Sequence, residues 1–265
     1  ITFACSGDIP LTSTLVITAS MTLDGSGQSV TLDGGGHVRV LFVTAMQFTL
    51  KALTVAHGFS DNSSGGIVNT LGTVTISNST IANNTAASGG GIDNGGGTVT
   101  ISNSTIANNT VSGNGGGIDN EGGTVTISNS TIANNTAGSG GGGGIYSSAT
   151  MTISNSTIAN NQASVGGGIY SSGTMSISNS TIANNQAPDG GGGIVNGSGS
   201  ATISNSTIAN NTAVFGGGIE TLGTMSLGAT ILAGNGGGNC SLINNSVITD
   251  QGYNLESGTT CGFTA

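Results

Sequence analysis

TISNSTIANN stands at residues 75–84, 100–109, 126–135, 152–161 and 202–211, and a near copy, SISNSTIANN, at 176–185. Weaker copies begin at Phe48 (FTLKALTVAHG) and Met225 (MSLGATILAGN). The equivalent apolar residues Ile76, Ile101, Ile127, Ile153, Ile177, Ile203 and Leu227 follow one another at 25, 26, 26, 24, 26 and 24 residues. A second block, GGGI, follows the copies and ends at Ile92, Ile118, Ile145, Ile169, Ile194 and Ile219. Length varies only in the loops between, such as TAASGG and QAPDGG. A period of this size marks a solenoid, in which each unit buries its apolar face only by stacking on the next.

Within a unit the period is two. Val74 and Ile76 alternate with Thr73 and Thr75, which is strand patterning in β-branched residues. STIANN, with Ile81 inward, and GGGI with its following residues supply two more short strands. Gly and Asn fill the corners, where positive φ is needed. A helix is excluded, because interior Gly costs about 1 kcal/mol and Asn, Thr and Ser are weak helix formers. The expected fold is all-β: one parallel β-helix of about ten coils, about 25 residues each, over residues 1–265. Residues 1–65 are atypical first coils, 66–235 the regular repeats, and 236–265 a C-terminal coil with cysteines. Inward ladders should run Val74/Val99/Val125/Met151/Met175, Ile76 to Ile203, and Ile81 to Ile208.

The Asn positions repeat as well. Asn78, Asn103, Asn129, Asn155, Asn179 and Asn205 form one column, and Asn84, Asn109, Asn135, Asn161, Asn185 and Asn211 another. Stacked amides carry donor and acceptor, so both columns are expected to bond along the axis. NST at the first column also matches the N-glycosylation acceptor pattern.

GGGI with IANN resembles the GGxx and FxxN-type repeats of polymorphic outer-membrane proteins. The whole chain is similar to right-handed parallel β-helix repeat proteins of bacterial cell surfaces. The opening ITFACSGDIPLTSTLVITASMTLDGSG and the closing NCSLINNSVITDQGYNLESGTTCGF look like the first and last coils of long secreted members. The resemblance implies a right-handed helix. It leaves function open, because the fold hosts adhesins, lyases, hydrolases and stalks. The polymorphic proteins carry a C-terminal membrane barrel, and anchoring in that way is not expected for these residues.

Composition narrows the partners. Lys and Arg total 2, charged residues make up 5%, Gly numbers 50 and the net charge is −9. Phosphate recognition and polybasic lipid binding both need cations, so nucleic acid and anionic membranes are poor partners. No apolar run approaches the roughly 18 residues that span a bilayer, so membrane insertion is not expected. The chain starts at Ile1 and reads as a mature or trimmed product. Cys5, Cys240 and Cys261 lie outside the repeats, without a zinc pattern, which favours an oxidising, extracellular setting. Cys240 and Cys261 fall in shared or adjacent coils and are expected to pair, as the resembling closing segment also suggests. Cys5 is left for an intermolecular link or a buried terminal thiol.

Chemistry is sparse. Arg39, Lys51, His37 and His57, with Asp33 and Asp61, form the one candidate catalytic group, and they read better as solvated side chains of the early coils. Asp93 and Asp119 sit one coil apart and should stack about 5 Å apart on the outside, near Glu121. They are weak calcium candidates, against a plain solvated pair. Glu220 holds the same position later, and Tyr146 and Tyr170 continue the column as an aromatic step. No cofactor or catalytic residue is expected. Stacked Thr73/Thr75-type pairs resemble ice-binding solenoids, yet Thr suits any exposed strand.

The leading expectation is a non-catalytic extracellular structural subunit. It would associate head to tail through uncapped coil ends, with Ile1, Thr2, Phe3 and Ala4 as assembly strand. The alternative is a cell-surface adhesin or glycan-binding stalk, and the third a polysaccharide-active enzyme.

Overall fold

The computed structural model describes residues 1–44 and 46–263; the last two residues of the C-terminal coil, 264 and 265, lie outside the described ones. Three parallel sheets run the length of a right-handed β-solenoid. The first face holds ten strands, from Met21–Asp24 to Ile248–Asp250, and includes Thr98–Ser102 of the TVTIS type. The second holds eleven, from Gly7–Pro10 to Leu255–Glu256, and includes Thr105–Ala107. The third holds ten, from Leu15–Ile17 to Cys240–Leu242, and includes Ile92–Asn94. Each strand pairs with its equivalents one coil away, so repeat residues meet in register: Val99 on Val125, Ile106 on Ile132, Ile118 on Ile145.

That register builds the core. Val74, Val99, Val125 and Met151, with Ile76 to Ile203 and Ile81 to Ile208, are all essentially inaccessible to water. Each such side chain contributes roughly 1.5–3 kcal/mol of transfer free energy. A short fourth side, Thr85–Ala86, Thr110–Val111 and Thr136–Ala137, lies between the second and third faces. Its Ala86, Val111, Ala137 and Ala163 form a small separate cluster.

The two Asn columns behave differently, and one expectation is corrected. Asn84, Asn109, Asn135, Asn161, Asn185 and Asn211 are buried, and each Nδ2 donates to the Oδ1 of the next column member or, at the end, Asn235, at 2.9–3.1 Å. Asn78, Asn103, Asn129, Asn155, Asn179 and Asn205 do not form an amide ladder. They stand exposed at φ of 49–52°, and their side chains make no hydrogen bond among the described residues. Their role is the left-handed corner itself, which Asn tolerates better than other non-glycine residues. The inward bonds at this corner come instead from Ser79, Ser104 and Ser130, where each backbone N–H donates to the hydroxyl of the next coil's serine at 3.1 Å. Accordingly Asn129→Gly should unfold at nearly the wild-type denaturant midpoint, while Asn129→Val should lose about 1–2 kcal/mol.

The ends also differ from expectation. The last strand of the third face is covered at Cys240 and open at Leu242. Cys261 is joined to Cys240 with their Cα atoms 4.9 Å apart, and Cys240 stacks on Ile219, so the disulfide extends the inward Ile column. The crossing segment is tied down by Glu256, whose carboxylate accepts from Thr260 N and Oγ (both 2.8 Å) and from Cys261 N. Thr260 Oγ in turn accepts from Cys240 N at 3.0 Å. At the other end Ile1 to Phe3 do not hang free. Asp24 N donates to Ile1 O, the Ile1 ammonium donates to Thr22 O, and Phe3 packs against the core. Cys5 is exposed and unpaired, which removes the buried-thiol alternative.

Candidate functional site

Nearly all the unusual chemistry of the regular coils falls in one outward column of the third face. From coil to coil it reads Val16, Phe42, Val68, Asp93, Asp119, Tyr146, Tyr170, Val195, Glu220, Ser241. Alternation along the strand dictates this: Ile92 and Asn94 point inward, so Asp93 points out.

Pointing out does not mean solvated here, and the expectation of a water-facing pair is corrected. Asp93 is 9% exposed and Asp119 1%. The loop joining the fourth side to the third face doubles back over them. A Cβ on Gly89 would lie 3.0 Å from the Asp93 Cβ and 3.1 Å from the Asp119 Cβ; Gly89 also has φ of +55°. The GGG run therefore serves close backbone approach as well as the corner. Asp119 Oδ1 has no hydrogen-bond partner among the described residues. Burial, then the neighbouring Glu121, pushes the Asp93 carboxyl up to about 6, against the Ser63 hydroxyl and Arg39. Burial, then Asp93 and Glu121, pushes Asp119 up to about 8. Two adjacent carboxyls in low dielectric cannot both ionise cheaply, so at neutral pH the pair retains a proton. Among the described residues no three His, Cys, Asp or Glu side chains converge as a metal site, and the calcium candidates Asp93, Asp119 and Glu121 carry no further argument.

The candidate catalytic group is not one group. His57 Nδ1 lies 3.1 Å from Asp33 Oδ1, and Lys51 Nζ 3.0 Å from Asp24 Oδ2. The Ser26 contacts, then Lys51, hold the half-buried Asp24 carboxyl down to about 2. Arg39 turns elsewhere. Its guanidinium donates to Ser64 O (2.8 Å), Ser63 O (2.9 Å) and Ser60 Oγ (3.0 Å), over the Phe42 ring. It clamps the loop that carries Ser63 toward Asp93. His37 and Asp61 engage no side-chain partner among the described residues.

Further along, Tyr146 and Tyr170 stack with centroids 5.1 Å apart and planes 8° from parallel. The column then steps down to Val195 before Glu220. Beyond that step an open hollow of ≈ 610 Å³ is lined by Val165, Tyr170, Val195, Gly197, Ser198, Glu220, Leu222 and Asn244. Burial raises the Glu220 carboxyl from its ordinary value. The column position of Tyr170, Val195 and Glu220 was readable after GGGI. Val165, Leu222 and Asn244 come from loops of irregular length, and only the drop from Tyr to Val signals a gap.

A family model described as a right handed beta helix region matches residues 64–262. The chain belongs to that family, which includes polysaccharide-active enzymes and non-enzymes alike. No curated protein and no solved structure matches it significantly.

Proposed function

We propose that the chain is a non-catalytic, extracellular structural β-helix that associates end to end. One observation carries the reading: the placement of exposed apolar side chains. Between Leu71 and Val214, over five coils, no large apolar side chain is exposed. On the first coil Ile1 and Val16 are exposed, and on the last Leu242, Val247, Tyr253 and Leu255, at 40–93%; Met46 and Leu71 stand exposed on the next coils in from the first, and Val214, Phe215, Leu222 and Ile231 on those before the last. Ile1, Leu15, Val16, Met21 and Leu23 also line one apolar hollow at the first coil. Apolar surface concentrated toward two unlike ends suits a heterologous contact, which repeats without closing.

The flanks favour the same reading. They present Thr and Ser columns with little charge, so parallel rods repel one another weakly. The strand Ile1–Ala4 would offer its free edge to the last coil of another copy, by β-augmentation. The exposed Cys5 thiol would provide a covalent link in an oxidising setting. The likeness of GGGI and IANN to cell-surface repeats fits such a location. The Cys240–Cys261 cross-link fits it too.

Negative-stain microscopy with sedimentation velocity on the purified chain tests this. Assemblies many coils longer than one rod are expected, lengthening with concentration. Deleting residues 1–4 should return them to single rods, and reductant should shorten them if Cys5 bridges copies. Single short rods at every concentration would end the proposal.

A further inference from the structure

We infer that Glu256 is the latch of a redox-gated cap: its side chain holds Thr260 and Cys261 over Cys240, so a dithiol reaches the buried disulfide only when the latch opens. The device does not depend on association between copies. It begins where the inward columns end. On the second face Ile182, Ile208 and Leu232 stack in register, and the next residue in that column is Glu256. A carboxylate thus stands where each of those coils buries an aliphatic side chain. On the third face the column of Ile194 and Ile219 continues into Cys240, to which Cys261 is joined. A solenoid whose columns simply stopped would leave apolar surface and unpaired backbone groups in water, so its end needs a cover.

One carboxylate holds that cover in place. Glu256 Oε1 accepts from Thr260 N and Thr260 Oγ, both at 2.8 Å, and Glu256 Oε2 accepts from Cys261 N at 3.0 Å. Thr260 Oγ also accepts from Cys240 N at 3.0 Å, so both cysteines are placed through the same group. The buried amide column ends on it as well. Each Nδ2 from Asn84 to Asn211 donates toward the next coil. Asn235 Nδ2 then donates to Asn239 Oδ1 at 2.9 Å, and Asn239 Nδ2 to Glu256 Oε1 at 3.3 Å. Aligned amides polarise one another, and the donor end of such a column favours a negative charge. Burial alone would raise the Glu256 carboxyl, but the Thr260 hydroxyl and the Cys261 and Thr260 amides outweigh it and hold the group below its ordinary value. No cation shares the task, because the only lysine and arginine, Lys51 and Arg39, are engaged on early coils. The disulfide behind the latch is shut in, with Cys240 6% and Cys261 3% exposed. Exchange requires a thiolate to reach a sulfur, so access controls its rate. Ser257 to Thr260 are exposed, so this stretch can lift without unpacking the core. The dithiol's first thiolate then attacks one sulfur and displaces the other cysteine as a thiolate. Its second thiol displaces the remaining cysteine and leaves as a cyclic disulfide. Two electrons pass to the cysteines, which take up the two protons that the dithiol gives up. The freed segment uncovers the edge strand Cys240–Leu242, to which a further strand can add.

The test follows thiol release from the whole chain carrying Cys5→Ser, in excess dithiothreitol at pH 8, by alkylation and mass spectrometry. Reduction of the folded chain is expected to be far slower than that of the same chain unfolded in guanidinium. Glu256→Gln keeps the shape but replaces one acceptor oxygen by an amide donor, and should speed reduction about tenfold or more, the worth of one charge-assisted hydrogen bond. Thr260→Ala, an exposed substitution, breaks the link from Glu256 to Cys240 N and should speed it too. Asp250→Asn removes the carboxylate that ends the first-face column, which binds Gly252 N and Asn254 Nδ2 but not the cap. It should leave the rate unchanged, which separates the latch from the mere loss of a negative charge. The regular coils should keep the wild-type denaturant midpoint in all three variants, since each coil touches only its neighbours. Folded wild-type chain reduced as fast as unfolded chain overturns the assignment. So do unchanged rates in Glu256→Gln and Thr260→Ala, or an equal acceleration by Asp250→Asn. Rod length by microscopy on the same samples reads end-to-end association separately.

Discussion

The rod is expected to become less stable as the pH is raised from about 4 to about 9. The cause is the buried pair Asp93 and Asp119. Their folded values, about 6 and about 8, both lie above the ordinary aspartate value of 3.8. Between those limits the folded chain holds protons that the unfolded chain has released, so unfolding is favoured as protons become scarce. The stability is fully present below about pH 4 and is lost as the pH passes through 6 and then 8. The loss should be on the order of 5 kcal/mol, less than the two shifts converted separately, because both contain the same mutual repulsion. Asp24 acts in the opposite sense but only below about pH 4. Denaturant unfolding at pH 4.5 and 8.5 measures the difference. Asp119→Asn removes one charge while keeping the shape, so it should flatten the profile and raise the midpoint at pH 8.5. Equal midpoints for the wild-type chain at both pH values would show that the loop over the pair opens to water at little cost.

The repeats made the solenoid legible because register in a stacked fold is set by sequence period. Val99, Ile101 and Ile106 recur with the coil, and the structure places each on its counterpart. What the period does not encode is which polar column faces in. Asn103 and Asn109 have the same residue type and the same spacing, yet one is an exposed left-handed corner and the other a buried amide. Two features separate them: Asn103 follows an odd step off the TVTIS strand, and Asn109 precedes the Thr-Ala side. Both depend on how the corner turns. Asp93 failed for a different reason. Alternation correctly sent it outward, but its burial comes from a loop whose path is set by Gly89 at positive φ. A glycine run tells that a backbone comes close to something without telling what. The hollow beside Tyr170 lies still further from sequence, since Leu222 and Asn244 reach it from connections that vary from coil to coil.

The buried amide ladder is where a single substitution should cost most. Asn135 Nδ2 donates to Asn161 Oδ1 and to Ile106 O, both at 3.0 Å. Its Oδ1 accepts from Asn109 N and Asn109 Nδ2, both at 3.0 Å. No water reaches the site, because Asn135 is 0% exposed. Asn135→Ala therefore strands two donors on Asn109 and the Ile106 carbonyl in the core. Leaving a buried group unpaired costs about 1–3 kcal/mol each, and partial relaxation of the corner lowers the total, so roughly 3–5 kcal/mol is expected. Each amide both gives to one neighbour and takes from the other, so the chain of dipoles is broken in the middle, not shortened at an end. In a solenoid each coil touches only its neighbours, so a weak interface at the central coils should divide unfolding into two steps. Asn129→Ala, six residues earlier and exposed, loses only the left-handed preference of Asn, about 1 kcal/mol. Guanidinium unfolding followed by circular dichroism compares them directly. A large midpoint loss and a broadened transition for Asn135→Ala, against a small shift for Asn129→Ala, is the expected result. Equal small shifts would mean that the amide column is dispensable and that the Ile columns alone fix the stacking of the coils.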